Sequence, residues 1–285
     1  MMIQSKKERL QKRGLGAMRF LILILLFLLA APVIASEPIT MSGCSVSNVG
    51  YLNDLAKEYE LQTGQQVLVR GGGSIAGLTE LGSDKIDLAA SCLSHLSKPS
   101  VGFTFIPVAW DALVFITNKS NPVKNITPQQ VKEIYDGKIT NWKQLGGSDL
   151  KLTSYISTPE GLGGIGEALE KYILNGKRPL KQANSSMQVS SVSIWEQLVG
   201  KNAEGFASTG FGSARRRNVR MLSVNGVSPT KTTIISGKYP YKRYLYLVLT
   251  KDAKPEVNKF VDFALSKKGQ SLISSYGIPS LSEIK

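Results

Sequence analysis

Short runs of β-favouring residues alternate with helical patterns along most of the chain, and this alternation restricts the folds open to it. Strands joined by crossover helices favour a parallel sheet, and right-handed crossovers place the loops after those strands on one edge. The sequence therefore predicts an α/β fold. Its early segments are strands at 39–42, 66–70 and 85–90 and helices at 51–61 and 75–81; later ones are strands at 150–156 and 205–208 and helices at 167–174, 193–199 and 255–276.

Two longer apolar strands, at 110–117 and 244–250, divide the rest of the pattern. Because they match in length and character, we predict that they cross between two α/β lobes. Lobe 1 then comprises residues 36–117 and 244–285, and lobe 2 comprises residues 118–243. Two such lobes leave a cleft between them, and open parallel sheets bind ligands at the carboxyl ends of their strands.

The amino terminus carries an apolar run at 20–31 that follows several basic residues. This arrangement is typical of a secretory signal peptide, and we expect residues 1–35 to be removed, with Met18 as a second candidate start. The run is shorter than a membrane span, which disfavours a retained anchor. Polar residues separate Cys44 from the run, which disfavours a lipoprotein. We therefore expect a periplasmic or secreted protein.

The chain is basic, with 35 Lys and Arg against 21 Asp and Glu and a formal net charge of +14. Without residues 1–35, which hold six basic and one acidic residue, 29 basic and 20 acidic residues remain and the charge is +9. Such a surface steers anions toward it, although any single lysine is as readily a solvated surface group. Export and the lack of a basic-aromatic motif argue against nucleic acid as a partner.

Glycine and serine follow the predicted strands at the edge where the cleft would lie. Ser45 follows the first strand, Gly73 and Ser74 follow the second, and Ser91 and Cys92 follow the third. The first two turns precede helices, whose free N–H groups and positive ends favour an anion. One such turn is more often a structural cap, so the prediction of an anion site depends on several turns converging.

A further glycine-rich stretch at 161–166 satisfies the spaced-glycine pattern of dinucleotide-binding turns. The acidic residue that this pattern requires about 20 positions later is missing, because the chain there is basic and polar from Arg178 onward. The better interpretation is a loop or an anion contact at Gly163 and Gly164, the latter through the amides at the start of the following helix.

No arrangement of residues in the sequence indicates catalysis or metal binding. His95 is the only histidine, and neither a Cys-x-x-Cys pair nor a paired-carboxylate motif is present. We therefore predict a protein that is not an enzyme, with no catalytic residues, no metal and no cofactor.

Cys44 and Cys92 both follow strands whose loops should face the same cleft. If those strands are neighbours, the two cysteines are close enough for a disulfide, which export to an oxidising compartment favours. The alternatives are that the two cysteines are inert small residues, or that they form a thiol pair that binds a soft metal or metalloid.

Several motifs resemble the periplasmic phosphate-binding proteins of ABC-type phosphate importers. The most specific is Gly-Lys-Ile-Thr-Asn-Trp at 137–142, and the other matching segments are 39–43, 71–78, 85–91, 131–136 and 236–240. The resemblance implies a type II periplasmic-binding-protein fold that closes on phosphate or a related oxyanion, and an ABC transporter permease at the inner membrane as partner. It also matches Ser45, Ser74 and Ser91 to ligand-contacting positions. We expect a monomer.

The second lobe departs from this family at one point. Where the family usually has Ser-Gly-Thr-Arg before a helix, this chain has Gly-Gly-Ile-Gly at 163–166, which lacks the hydroxyls and the guanidinium. Three interpretations stay open: a weaker or altered oxyanion binder, a binder of a different solute that uses Cys44 and Cys92, and a ligand-free signalling or interaction protein on the same scaffold.

Overall fold

The computed structural model describes residues 36–93, 102–157, 163–179, 185–189 and 191–284. Within them, residues from Glu37 onward belong to one compact unit. The predicted signal peptide at 1–35 and His95 lie outside the described residues. Among the helices of the described part, none combines the length and the apolar character that a membrane crossing needs.

The first three strands form a parallel sheet, as the alternating pattern predicts. β1 (Ile39–Gly43) lies between β2 (Val67–Gly71) and β3 (Leu88–Ser91) and runs parallel to both. Crossover helices connect them, so the carboxyl ends of all three strands meet at one edge. The helix between β2 and β3 is α2 (Ser74–Leu81).

Helix α1, at residues 45–63, connects β1 to β2 and begins well before the predicted start at 51. Ser45, Ser47 and Asn48 are polar and favoured a turn in the sequence, yet all three are buried. Tertiary packing therefore overrides their low helix propensity. The parts of α1 are an α-helical turn (Ser45–Ser47), a π-helical turn (Asn48–Leu52) and a regular α-helix (Asn53–Thr63).

Strand β4 (Phe103–Asn118) is the longest strand and continues from one half of the sheet into the other. Up to Ala112 it pairs with β11 (Lys242–Thr250), and from Leu113 it pairs with β8 (Gly205–Gly210). All these pairings are antiparallel, so the complete sheet is mixed. Periodicity alone reveals a strand but not its direction, which is why only the parallel part was predicted.

The second half of the sheet contains another parallel group, in which β6 (Thr153–Ser157) lies between β7 (Ser186–Val189) and β8. The full strand order is β2-β1-β3-β11-β4-β8-β6-β7, and β9 (Val219–Met221) pairs with β4. The short β5 (Asn125–Ile126) and β10 (Ser223–Val224) form a separate parallel pair. The helices of this half are α3 (Pro128–Tyr135), α4 (Gly164–Tyr172), α5 (Val192–Lys201), α6 (Phe211–Ala214) and α7 (Lys231–Ile235).

The single long helix predicted at 255–276 is two helices in the structure, α8 (Pro255–Leu265) and α9 (Lys267–Ser275). Ser266 separates them in an extended conformation, and its Oγ accepts a hydrogen bond from the Gly269 amide at 3.1 Å. A serine can end one helix and cap the next without a proline, which is why the helical pattern did not reveal the break.

Candidate functional site

A cavity of about 300 Å³ lies where the carboxyl ends of two groups of parallel strands meet. The segments that follow β1, β2 and β3 form one wall, and those at the ends of β6 and β7 form the other. Parallel strands with crossover helices bring such loops together, so the site is a direct consequence of the topology. Its lining residues are 44–46, 72–76, 92, 157, 163–165 and 191–192.

Within the residues that the structure describes, four helices begin at this cavity. The first residues of α1, α2, α4 and α5 are Ser45, Ser74, Gly164 and Val192, and each lines it. The N–H groups of a first helical turn have no acceptor within the helix, and each helix carries partial positive charge at that end. The cavity therefore combines backbone donors and positive potential from four directions, which suits an anion.

The residues that precede these four helices leave the donors uncapped. Cys44, Gly73, Gly163 and Ser191 occupy the N-cap positions, and none makes a side-chain cap hydrogen bond. Helices α3, α7 and α9, whose first residues do not line the cavity, each donate a hydrogen bond from a first-turn amide to a Thr or Ser side chain. Helices α6 and α8 also begin away from the cavity and lack such a side-chain cap. Uncapped donors at the cavity remain available to a ligand.

Cys44 and Cys92 are joined by a disulfide, with 6.0 Å between their Cα atoms. This bond connects the start of α1 to the end of β3, and the Cys92 amide also donates to Ser74 Oγ at 2.9 Å. Three loops that line the same wall are thus held together. Because both sulfur atoms are bonded, the structure does not support the alternative in which a thiol pair binds a soft metal.

Gly164 brings the second wall into close contact with the first. A Cβ at this position would overlap the carbonyl group of Cys92 on the opposite wall. The contact is between main-chain atoms, which cannot rotate away. The glycine at 164 therefore allows the main chain of one wall to approach the main chain of the other, a role that the spaced-glycine pattern alone did not identify.

We expect Gly164→Ala to weaken ligand binding by an order of magnitude or more, because the added methyl group forces the two walls apart and misaligns the α4 amides. In enzymes, a displacement of positioning groups by 1 Å can lower activity about 100-fold. The measurement is isothermal titration with phosphate. Gly71→Ala is the control, since its Cβ would meet Ser45 Oγ at an ordinary 3.7 Å. Equal affinities of the two variants would contradict the account.

The structure brings most of the predicted site residues together. Ser45, Gly73, Ser74, Cys92, Gly163 and Gly164 all line the cavity. Ser91 differs from the prediction: it is fully buried, donates from its Oγ to the Leu93 carbonyl at 3.1 Å and accepts from the Leu93 amide at 3.0 Å. Its hydroxyl stabilises the turn after β3 instead of facing the cavity.

Two serines of the second wall were missed by the sequence analysis. Ser157 ends β6 and Ser191 precedes α5, and both line the cavity. They supply hydroxyls on the side where the motif at 163–166 lacks them. Ser191 carries the signal that identified Ser74, a serine at a helix start, but it follows β7, a strand that the sequence pattern did not predict.

A buried carboxylate on α5 fixes the helix that begins at the second wall. Glu196 accepts hydrogen bonds from Thr209 and Ser213 and forms an ion pair with Arg217 at 3.1 Å. Burial raises the pKa of Glu196, while the hydrogen bonds from Ser213, Thr209 and Arg217 oppose that shift. These bonds connect α5 to the end of β8 and to α6, so the direction of the α5 amides is set by the packing.

A second buried ion pair lies on the two long strands. Arg243 on β11 donates to Asp111 Oδ2 on β4 from Nε at 3.0 Å and from Nη2 at 2.7 Å. Asp111 is fully buried, and its Oδ1 accepts from the Gly212 amide in α6 at 2.9 Å. One carboxylate thus joins β4, β11 and α6 at the point where the long strands pass between the two parallel groups.

Two groups of parallel strands, two long antiparallel strands that connect them and a cavity between their carboxyl ends define the type II periplasmic-binding-protein fold. The chain belongs to the family described as PBP superfamily domain, whose model matches residues 34–268. It is 28% identical over 273 residues to the phosphate-binding protein PstS of Borreliella burgdorferi, covering 90% of this chain and 97% of that protein. With PstS of Bacillus subtilis it shares 26% identity over 255 residues, covering 88% and 83%.

Solved structures show the same fold. An ABC-type phosphate transport receptor from Vibrio cholerae is 28% identical, with a TM-score of 0.61 over 86% of this chain and 100% of that one. A Clostridium perfringens protein crystallised with bound phosphate is 24% identical, with a TM-score of 0.74 over 86% and 100%.

Proposed function

We propose that this protein is an exported solute-binding protein that captures phosphate or a related small oxyanion and presents it to an ABC importer, without catalysing a reaction. The observation that carries the proposal is the convergence of four uncapped helix starts on one cavity. The relatives named as phosphate-binding proteins support the same ligand class.

The binding groups proposed are hydroxyls and backbone amides from both walls. The first wall contributes Ser45, Ser74 and the amides after Gly73, and the second contributes Ser157, Ser191 and the amides that follow Gly163. An inorganic tetrahedral oxyanion such as phosphate has acceptor oxygens on all sides. Charge-assisted hydrogen bonds to such oxygens are about twice as strong as neutral ones. Preorganised donors on the helix ends therefore replace the guanidinium that the related motif would supply.

The two walls belong to the two lobes proposed from the sequence, residues 36–117 with 244–285 and residues 118–243. β4 and β11 then act as the crossing strands of a hinge. Hinge closure around a ligand is the motion that such an arrangement permits.

We further propose that the protein is exported and works with a membrane permease. The apolar run at 20–31 behind basic residues supports export to the periplasm or beyond. The proposed protein is a monomer that delivers a small dissolved anion to a permease at the inner membrane, and it has no nucleic-acid partner.

A radiolabelled phosphate uptake assay in cells that lack this protein tests the transport role, and unchanged uptake would contradict it.

Ser45→Ala tests the site itself. Loss of one hydroxyl donor to a charged ligand should weaken phosphate binding by about 1.5–3 kcal/mol, or roughly 10- to 150-fold in Kd. Isothermal titration of the purified mature chain measures this. Ser148→Ala, in an exposed loop away from the cavity, is the matched control and should bind as the parent does. Phosphate binding that is absent in the parent, or unchanged in Ser45→Ala, would contradict the proposal.

A further inference from the structure

The cavity is larger than a bare tetrahedral oxyanion requires. Its volume of about 300 Å³ equals the share of roughly ten water molecules in the liquid. Orthophosphate has only five non-hydrogen atoms. The remaining volume lies between the same two walls and beside the same helix starts.

One edge of this volume is set by a close contact between the two walls. Gly164 and Cys92 already touch through main-chain atoms, with no room for a Cβ between them. Further approach of the walls at that edge would therefore require a shift of the main chain. A ligand that fills it must extend beyond a single tetrahedral group.

The walls around this volume are largely aliphatic. Each of the four helices that present amides to the cavity also presents an aliphatic side chain from its first turn: Val46 on α1, Ile75 and Ala76 on α2, Ile165 on α4 and Val192 on α5. Ile75 and Val192 are half-buried and Ala76 is exposed, so they retain apolar surface that a ligand can cover. Covering such surface is favourable in proportion to its area.

We infer that the physiological ligand carries a compact apolar substituent on its anionic head and is an organic phosphoryl compound, a phosphate monoester or a phosphonate. This inference rests on the proposed function, because the head group occupies the same helix starts. The amides and serines bind the phosphoryl oxygens, and the substituent contacts the aliphatic side chains.

Isothermal titration at pH 7.5 with orthophosphate, methyl phosphate and n-propyl phosphate tests the inference. Each methylene buried should tighten binding about fourfold, so propyl phosphate should bind about 15-fold more tightly than methyl phosphate. If orthophosphate binds and the esters bind more weakly or not at all, the inference is overturned and the proposed function stands. If none of the three binds, the proposed function fails and the inference with it.

A matched pair of variants assigns the effect to the cavity wall. Val192→Thr replaces one methyl group with a hydroxyl and should reduce the preference for propyl over methyl phosphate about fourfold, since one apolar contact is lost. Ile194→Thr lies on the same helix, is 45% exposed and does not line the cavity, so it should leave that preference unchanged. An equal preference in both variants and the parent would contradict the assignment.

Discussion

Replacing Arg243 with methionine should lower the free energy of unfolding by about 3–5 kcal/mol, the cost of leaving a buried carboxylate without its partner. Asp111 is 0% exposed and the Arg243 side chain is 8% exposed, so water cannot solvate the charge that remains. Urea unfolding of the mature chain, followed by far-ultraviolet circular dichroism, measures the change.

Lys143→Met is the matched control for this prediction. Its ion pair with Asp149 at 3.3 Å is exposed, with both side chains more than two-thirds accessible, and exposed pairs contribute about 0–1 kcal/mol. A loss for Arg243→Met no greater than that for Lys143→Met would show that the pair on β4 and β11 is not important for stability.

The second large effect concerns the disulfide. The double variant Cys44→Ser/Cys92→Ser should lose about 2–5 kcal/mol of unfolding free energy, since a bond that closes a loop with a sequence separation of 48 restricts the unfolded chain by about 4 kcal/mol. Phosphate affinity should also fall, because Cys92 contacts both Ser74 and Gly164. Urea midpoints and isothermal titration give the two readouts.

A reducing agent provides the control for this variant. It should lower the midpoint of the parent chain toward that of the double variant and should not change the double variant at all. A parent chain whose midpoint and affinity do not respond to complete reduction, verified by thiol titration, would contradict the role given to the disulfide.

Local signals in the sequence predicted the parts of the site that lie at strand ends. A glycine or serine between a strand and a helix is visible without any structure, and Ser45, Gly73, Ser74 and Gly164 were identified in this way. The same residues occupy the cavity because parallel strands with crossover helices place those turns on one edge. The proximity of Cys44 and Cys92 depends on the pairing of β1 with β3, which the sequence left open as a condition.

What the sequence could not provide was information carried by tertiary contacts. Ser91 has the same local context as Ser74, but only the packed structure shows that its hydroxyl is used by Leu93. Ser191 was missed because β7 is short and half-exposed, so its periodicity is weak. The direction of β4 and β11 is likewise set by their neighbours in the sheet and not by their own residues.

Backbone amide chemical shifts during a phosphate titration report directly whether the helix starts bind the anion. In ¹⁵N-labelled, deuterated protein, we expect the largest changes at the first residues of four helices, Ser45, Ser74, Gly164 and Val192, with small changes at the capped starts of α3 and α7. Saturable shifts that spare all four of these amides, or no shifts at all, would contradict the claim that converging helix starts bind the anion.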